Sequence, residues 1–492
     1  MHPPTFLAQF AQVAATHPRK VAIFWGTDRI TYRQLREQID RYALNLQHRQ
    51  GLAKGDRVGL LLKNSPQFIY ALYAALESGA TVVPINTFLK TPEIQHIVDD
   101  CRLTCLVTEH SLRDSTAGLQ RVSLVDVQHL SHPREGTPAR PPVAASDLAV
   151  IIYTSGTTGK SKGALLTYGN FTANVQSCIA ALDETHRDRI TLLLPMFHSF
   201  MLTVCIFTSL AVGAGIVLIK SVQPFKLALR EMIRNRATIL VGIPQLFQAM
   251  AQAKLPFWLP WVLKIRLAIS GAAPLPRETL DVFERKYRFP LLEGYGLSEA
   301  APVVSFNPLH GTRKAGSVGL PLSGIEVKIF GDNGREVPTG EVGEIVVRGP
   351  NVMLGYYNQP DESSAALRNG WLHTGDMGKK DSDGYIYIVD RRKEMFLVRG
   401  MNVYPREIEE VLYTFPNVHE AAVIARRDDK RGESAVAFIS TNEGTTVDTA
   451  SVLKYCRERL ADYKLPREIR IVDKLPRTAT GKIAKLELKK LL

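Results

Sequence analysis

Apolar residues in the first part of the chain recur in two alternating rhythms. THPRKVAIFW ends in a short apolar run that predicts a strand around Val21–Phe24. TYRQLREQIDRYALNLQ then carries apolar residues at helical spacing behind Thr31, a hydroxyl residue suited to cap a helix. GDRVGLLLKN reads as a turn and a buried strand, SPQFIYALYAALESGA as a helix opened by Ser65-Pro66, and TVVPIN as the next strand. The rhythm returns in ITLLLPMF, GAGIVLIK, ATILVGIP and IRLAISGA. Strands alternating with helices predict parallel sheets covered on both faces, because a parallel connection needs a crossover.

From about Gly316 the texture changes. SGIEVKIFGDNGREVPTGEVGEIVVRGP alternates apolar and polar residues between Asp-Asn-Gly and Pro-Thr-Gly turns, which predicts hairpins and a small antiparallel barrel or sheet. After DRRKE (390–394), NVYPREIEEVLYTFP predicts a helix starting at Pro405, VHEAAVIARRD a strand, and SVLKYCRERLADYKLP a second helix. The expected fold class is α/β. A large N-terminal domain (1–392) holds two parallel-type αβ subdomains plus a small β-barrel at about 316–390, and a small α+β C-terminal domain (393–492) follows. SHPREGTPARPPVAAS (131–146) is expected to be a surface connector.

The length of 492 residues exceeds one typical core and agrees with several subdomains. No apolar run reaches the roughly 18–20 residues that a membrane-crossing helix needs, and MHPPTFLAQF lacks the basic-then-apolar pattern of a secretory signal. A cytoplasmic location is therefore expected. Five scattered cysteines (Cys101, Cys105, Cys178, Cys205, Cys456) argue against a disulfide scaffold and are expected to be buried small residues. A net charge of +13 suits polyanionic ligands or an anionic membrane face. Without a zinc-finger pattern or a basic stripe interleaved with aromatics, nucleic acid is not expected as a partner.

The candidate chemistry begins at YTSGTTGKSKG (153–163), where hydroxyl residues, glycines and lysines crowd behind the apolar strand VIIY and ahead of the helical stretch TYGNFTANVQ. Glycines let backbone N–H groups approach phosphate oxygens, hydroxyls add donors and lysine adds charge. The spacing is not that of the familiar nucleotide loop, since the position where that loop needs its first glycine is Thr154. GYGLSEAAP (294–302) sets an aromatic between glycines, open to a flat base, with Glu299 able to hold a hard cation; alone, a core tyrosine and a solvated glutamate fit as well. SGAAP (270–274) places small residues at a strand's C-terminal end, as a ligand site or a packing corner. Asp376 in WLHTGDMG suits a ribose diol, and Lys482 in TATGKIAK, taken singly, reads as a solvated charge.

In their order, YTSGTTGKSKG, PMFHSF, SGAAP, GYGLSEAAP, TGD, DRRKE and PRTATGK resemble the signatures of the adenylate-forming superfamily of acyl-CoA synthetases, peptide-synthetase adenylation domains and luciferases, closest to fatty acyl-CoA synthetases. The likeness runs from about Thr31 to the last residues. It implies that a carboxylate attacks the α-phosphate of ATP to give an acyl-adenylate, and that the thiol of CoA then displaces AMP, with Mg2+ as the metal. It also implies a mobile C-terminal domain.

By this resemblance Thr154, Ser155, Gly156, Thr157, Thr158, Gly159, Lys160 and Lys162 hold the β- and γ-phosphates, and Thr154 and Glu299 hold the magnesium. Gly271, Ala272 and Ala273 line the base and acyl carbonyl, Tyr295 stacks on adenine within the run Glu293, Gly294, Tyr295, Gly296, and Ser298 touches the α-phosphate. Asp376 and Arg391 bind the ribose. Lys482 bridges the attacking carboxylate and the ATP oxygens, Glu299 and His198 assist the chemistry, and Lys393 is the hinge. Arg399 and Gly400 border the CoA tunnel, where relatives commonly carry two glycines.

For the acid, PMFHSFMLTVCIFTSL offers no carboxylate to bind a substrate ammonium, so an α-amino acid is not expected. Phe197, Phe200, Val204, Phe207, Val241, Gly242 and Val303 are expected to form an apolar pocket, with His198 orienting the carboxylate or packing in the core. A medium- to long-chain fatty acid is the expected substrate, with an aryl or short branched acid as the alternative. No long insertion interrupts 316–355, which favours CoA over a carrier protein as acceptor. KLPFWLPWVLKIR (254–266), aromatic with basic flanks, suits peripheral membrane contact or a helix packed on its own domain.

Overall fold

The computed structural model describes residues 4–154, 161–221, 225–253, 262–391, 394–398, 401–428, 432–477 and 483–492. Two largely parallel sheets form its centre. In the six-stranded sheet the order is Ser123–Asp126, Cys105–Thr108, Arg57–Leu61, Thr81–Pro84, Leu148–Thr154, Lys162–Thr167, and only the last strand is antiparallel to its neighbour. The nine-stranded sheet has a parallel centre: Leu291–Gly296, Leu267–Ser270, Ile239–Gly242, Arg189–Leu192, Gly215–Leu218 and Val21–Trp25, flanked by antiparallel strands at both edges. These strands are apolar runs because helices cover both faces; Thr81–Pro84 and Ile239–Gly242, for example, are buried at every residue.

Two helices begin where the sequence predicts. Thr31 accepts the backbone N–H of Gln34 while the Gln34 side chain accepts that of Thr31, a capping box that starts Tyr32–Gln50; Gly51 ends it in the left-handed conformation. Pro66 opens Pro66–Glu77, whose residues are nearly all buried. One continuous core joins the two sheets: Leu60, Val82 and Val150 of one belong to the same cluster as Ile23, Ile190 and Ile269 of the other. All five cysteines are buried.

The β-rich region is a five-stranded antiparallel sheet in which Glu326–Phe330 pairs Gly343–Arg348, and Trp371–Lys380 receives Ile386–Arg391. Beyond it, Gly432–Thr441 pairs antiparallel with Val418–Asp428 and parallel with Glu468–Ile471. Helices Pro405–Tyr413 and Thr449–Arg457 supply Ile408, Leu412, Val452 and Cys456 to a core of its own.

Two local readings need correction. The hydroxyl-rich loop leads first into the strand Lys162–Thr167 and only then into the helix Tyr168–Leu182, so it joins the arms of a hairpin in which Thr154 lies opposite Lys162. Leu202–Phe207 is wound as a π-helical segment and buried throughout, which turns side chains expected at a pocket into the core.

Candidate active site

A cleft of ≈ 1270 Å³ opens where the C-terminal ends of both parallel sheets meet the antiparallel sheet. Its wall includes Thr154 and Lys162 from the hairpin, Gly271 and Ala272 after Leu267–Ser270, and Gly294 to Glu299 at the end of Leu291–Gly296. Thr374, Gly375, Asp376 and Arg391 come from the antiparallel sheet, and Phe197, His198 and Phe200 from the turn that starts the helix Ser199–Met201. Residues from six separate stretches of sequence thus converge on one cleft.

Tyr295 is held in its slot by the backbone around it. A Cβ on Gly294 would fall 2.3 Å from the Phe306 ring, and one on Gly296 would fall 2.3 Å from the Pro302 carbonyl oxygen. Both flanking positions therefore exclude side chains, and the strand can approach Val303–Phe306 closely. The Tyr295 phenol donates to Asp376 Oδ2 at 2.6 Å, and its own ionisation is pushed far up by burial and by the Asp376 carboxylate.

Asp376 is set by several bonds. It lies opposite Arg391 in the ladder between Trp371–Lys380 and Ile386–Arg391, with Arg391 Nε 3.2 Å from Asp376 Oδ1. Its N–H donates to Thr374 Oγ1 (3.1 Å), which in turn donates to the Ile345 carbonyl (2.7 Å). The Gly375 N–H donates to Glu344 Oε1 (3.1 Å). An oriented carboxylate with an arginine beside it is suited to accept two hydroxyl protons.

At the other end, Glu299 sits in the turn Ser298–Ala300, where Ser298 Oγ lies 3.3 Å from Ser199 Oγ. Glu299 Oε1 accepts a 2.9 Å bond from the Tyr356 hydroxyl. Lys162, only 8% exposed, pairs with Glu362, and its ammonium lies 5.7 Å from the centre of the Tyr356 ring. His96, from the helix Thr91–Cys101, places Nε2 3.3 Å from the Ser161 carbonyl oxygen. Tyr356, Glu362 and His96 are cleft residues that sequence reasoning missed, although the first two stand in the polar stretch YYNQPDE.

Several expected positions lie elsewhere. Glu293 does not line the cleft: it is buried, its Oε1 accepts the Leu275 N–H (3.0 Å), and burial pushes its pKa up to about 7. It thereby fastens the end of the SGAAP turn. Ala273 is also absent from the wall, whereas Gly271 and Ala272 face it. Of the expected acyl pocket, Phe197, Phe200 and Val303 line the cleft, and Val204, Phe207, Val241 and Gly242 do not. Phe207 packs edge-on against Phe171 and Tyr73 in the core, and the space beside Gly242 is taken by Leu246 and Phe247. Pro302 and Phe306 complete the apolar wall instead, with the Phe200 ring 3.0 Å from where a Gly271 Cβ would stand.

Ser155, Gly156, Thr157, Thr158, Gly159, Lys160, Lys393, Arg399, Gly400 and Lys482 lie outside the described residues, as do Trp258 and Trp261. Among the described residues no group of three or more His, Cys, Asp and Glu side chains could cage a metal ion. Magnesium keeps waters and takes only one or two carboxylates along with substrate phosphates, a sparse donor set that needs no such cage. Glu299, with a hydroxyl of Thr154 in the same cleft, is such a sparse set. No helix among the described residues is long and apolar enough to cross a membrane.

Residues 10–357 match the AMP-binding enzyme family, and residues 407–482 match the AMP-binding enzyme C-terminal domain. A feruloyl-CoA synthase of Amycolatopsis sp is 35% identical over 482 residues, 97% of each chain. A long-chain-fatty-acid–CoA ligase of Bacillus subtilis is 32% identical over 520 residues, covering 96% of this chain and 92% of the relative. Among solved structures, ATP-bound MatB from Rhodopseudomonas palustris superposes with a TM-score of 0.92 at 31% identity, covering 99% of this chain and 98% of that one. The cleft, the order of its motifs and these matches together place the chain in the AMP-binding enzyme family, as an AMP-forming acyl-CoA synthetase that uses ATP, Mg2+ and CoA.

Proposed function

We propose that this synthetase activates medium- to long-chain fatty acids. The observation that carries this reading is the uncharged wall of Phe197, Phe200, Pro302, Val303 and Phe306 running from Gly271. A long apolar tail gains roughly 0.8 kcal/mol for each CH₂ it buries there. Relatives named long-chain-fatty-acid–CoA ligase support it. The relative named feruloyl-CoA synthase and the three phenylalanines favour a second reading, an aryl acid stacked on rings.

In the proposed mechanism the hydroxyl-rich loop with Thr154 and Lys162 grips the β- and γ-phosphates. Tyr295 faces the base, Asp376 and Arg391 hold the ribose, and Ser298 meets the α-phosphate. Magnesium, held by Glu299 and Thr154, would neutralise phosphate charge. His198 orients the acid's carboxylate, and Lys482 supplies a point charge where two anions meet. An acid oxygen then bonds to the α-phosphorus as the bond to pyrophosphate breaks. In the second half-reaction the small domain, from about 393 onward, turns about Lys393 and brings Arg399 and Gly400 to the CoA tunnel. The CoA sulfur bonds to the acyl carbon as AMP leaves. CoA rather than a carrier protein is the proposed acceptor, and the stretch 254–266 the proposed membrane contact, tested by liposome co-sedimentation of a Trp258→Ala/Trp261→Ala variant.

A panel of acids with ATP, scored for pyrophosphate release with and without CoA, tests the substrate. Turnover rising from C6 to C16 acids, with ferulate and benzoate slow, is the expected result. Faster turnover of the aryl acids selects the second reading.

A further inference from the structure

We infer that Tyr356 is a positioning residue that couples the phosphate-binding hairpin to Glu299; this rests on the reading of Glu299 as the metal carboxylate. Tyr356 belongs to a short segment that continues the hairpin as a third arm. It bridges Ala164, the Leu165 N–H donates to the Gly355 carbonyl (2.9 Å), and the Tyr357 N–H donates to the Gly163 carbonyl (2.8 Å). Just before it, the Met353 N–H donates to the Glu299 carbonyl at 2.9 Å. One stretch of backbone is thus bonded to both the outgoing arm of the loop and the turn that carries Glu299.

The side chain repeats the link. The phenol donates to Glu299 Oε1 at 2.9 Å while its ring lies 5.7 Å from the Lys162 ammonium. A neutral donor on one oxygen fixes the carboxylate's orientation, leaves the other oxygen for a cation, and keeps the full negative charge that a cation needs. A lysine in contact with Glu299 would cancel that charge. Lys162, the cation at the Tyr356 ring, is paired with Glu362. Tyr356 therefore orients Glu299 without neutralising it, and a shift of the hairpin moves the donor with it.

The test uses the full-length protein and three variants, Y356F, E299Q and their combination. Mn2+ binding with a non-hydrolysable ATP analogue is followed by electron paramagnetic resonance, beside the Mg2+ dependence of acid-driven pyrophosphate release. Loss of an outer hydrogen bond to a metal ligand predicts about 10-fold weaker Mn2+ binding in Y356F. The Mg2+ half-saturation should rise similarly, with kcat at saturating Mg2+ within about twofold of the parent. In the E299Q background the Tyr356 change should add no further loss, since the two act as one unit. If E299Q binds Mn2+ as the parent does, the metal reading of Glu299 falls and the inference with it. If E299Q is impaired while Y356F is not, or if the two losses multiply, the coupling alone is overturned.

Discussion

The Tyr295 hydroxyl donates to Asp376 at 2.6 Å, joining the outermost parallel strand of the nine-stranded sheet to the five-stranded antiparallel sheet across the cleft. The same carboxylate faces Arg391 at 3.2 Å, so one aspartate holds the proposed base and ribose positions in register. Asp376→Asn keeps the shape but removes the charge. It should weaken AMP and ATP binding about 10- to 100-fold, the range of a charged hydrogen bond. Tyr295→Phe, which loses the hydroxyl that donates to Asp376, should cost less than about tenfold. Isothermal titration with AMP checks both, and unchanged affinity in Asp376→Asn would remove the ribose assignment.

Lys482→Ala should separate the two half-reactions. Acid-dependent pyrophosphate release should fall by about 10²- to 10³-fold, the scale of one lost electrostatic donor. Conversion of supplied acyl-adenylate to acyl-CoA should stay within a few-fold of the parent. Single-turnover assays of each step give the answer, and equal losses in both would contradict the proposed role.

Val303 lines the apolar wall at the start of Val303–Phe306. Val303→Phe should shorten the accepted tail, raising KM for C16 acids about tenfold, the cost of about two unburied methylenes, while C6 acids are spared. A chain-length profile of kcat/KM reads this directly. A uniform loss at every length would point to damaged packing.

Glu184 is buried, accepts a 2.8 Å bond from Ser209, and has its pKa pushed up to about 7 by burial. An unfolded glutamate titrates near ~4.3, so between about pH 4 and 7 the folded state holds more protons than the unfolded one. Stability therefore falls as pH rises through that window and levels off above it. Glu293, shifted in the same direction, adds to the slope. Glu184→Gln cannot ionise, so the loss between pH 5 and pH 8 should shrink by on the order of 2 kcal/mol. Urea unfolding at the two pH values measures it; an unchanged difference would mean that Glu184 titrates normally.

The parts of this architecture that were legible are those in which a local pattern has one physical outcome. Thr31 with Gln34 spells a capping box, Pro405 a helix start, and VHEAAVIARRD a strand that the structure places at Val418–Asp428. Gly294 and Gly296 could be read as framing an aromatic because only a residue without Cβ tolerates the backbone beside it. Apolar side chains behave differently: a phenylalanine looks the same in a core as in a pocket. Phe197 and Phe200 face the cleft, whereas Phe207, a few residues on, faces Phe171 and Tyr73 after a π-helical segment that no periodicity announces. Tyr356 and Glu362 escaped notice because their place depends on a long-range pairing with Ala164 and Lys162.

Because Thr154 and Lys162 face each other across an antiparallel ladder, the excursion between them begins and ends about 5 Å apart. Its mouth is thus fixed by sheet hydrogen bonds on either side, whatever its tip encounters. The segment between the two can therefore change in length or charge at little cost to the scaffold. A change in that segment is then felt first at the one rung where Thr154, a proposed metal ligand, faces Lys162, a lysine buried beside Tyr356.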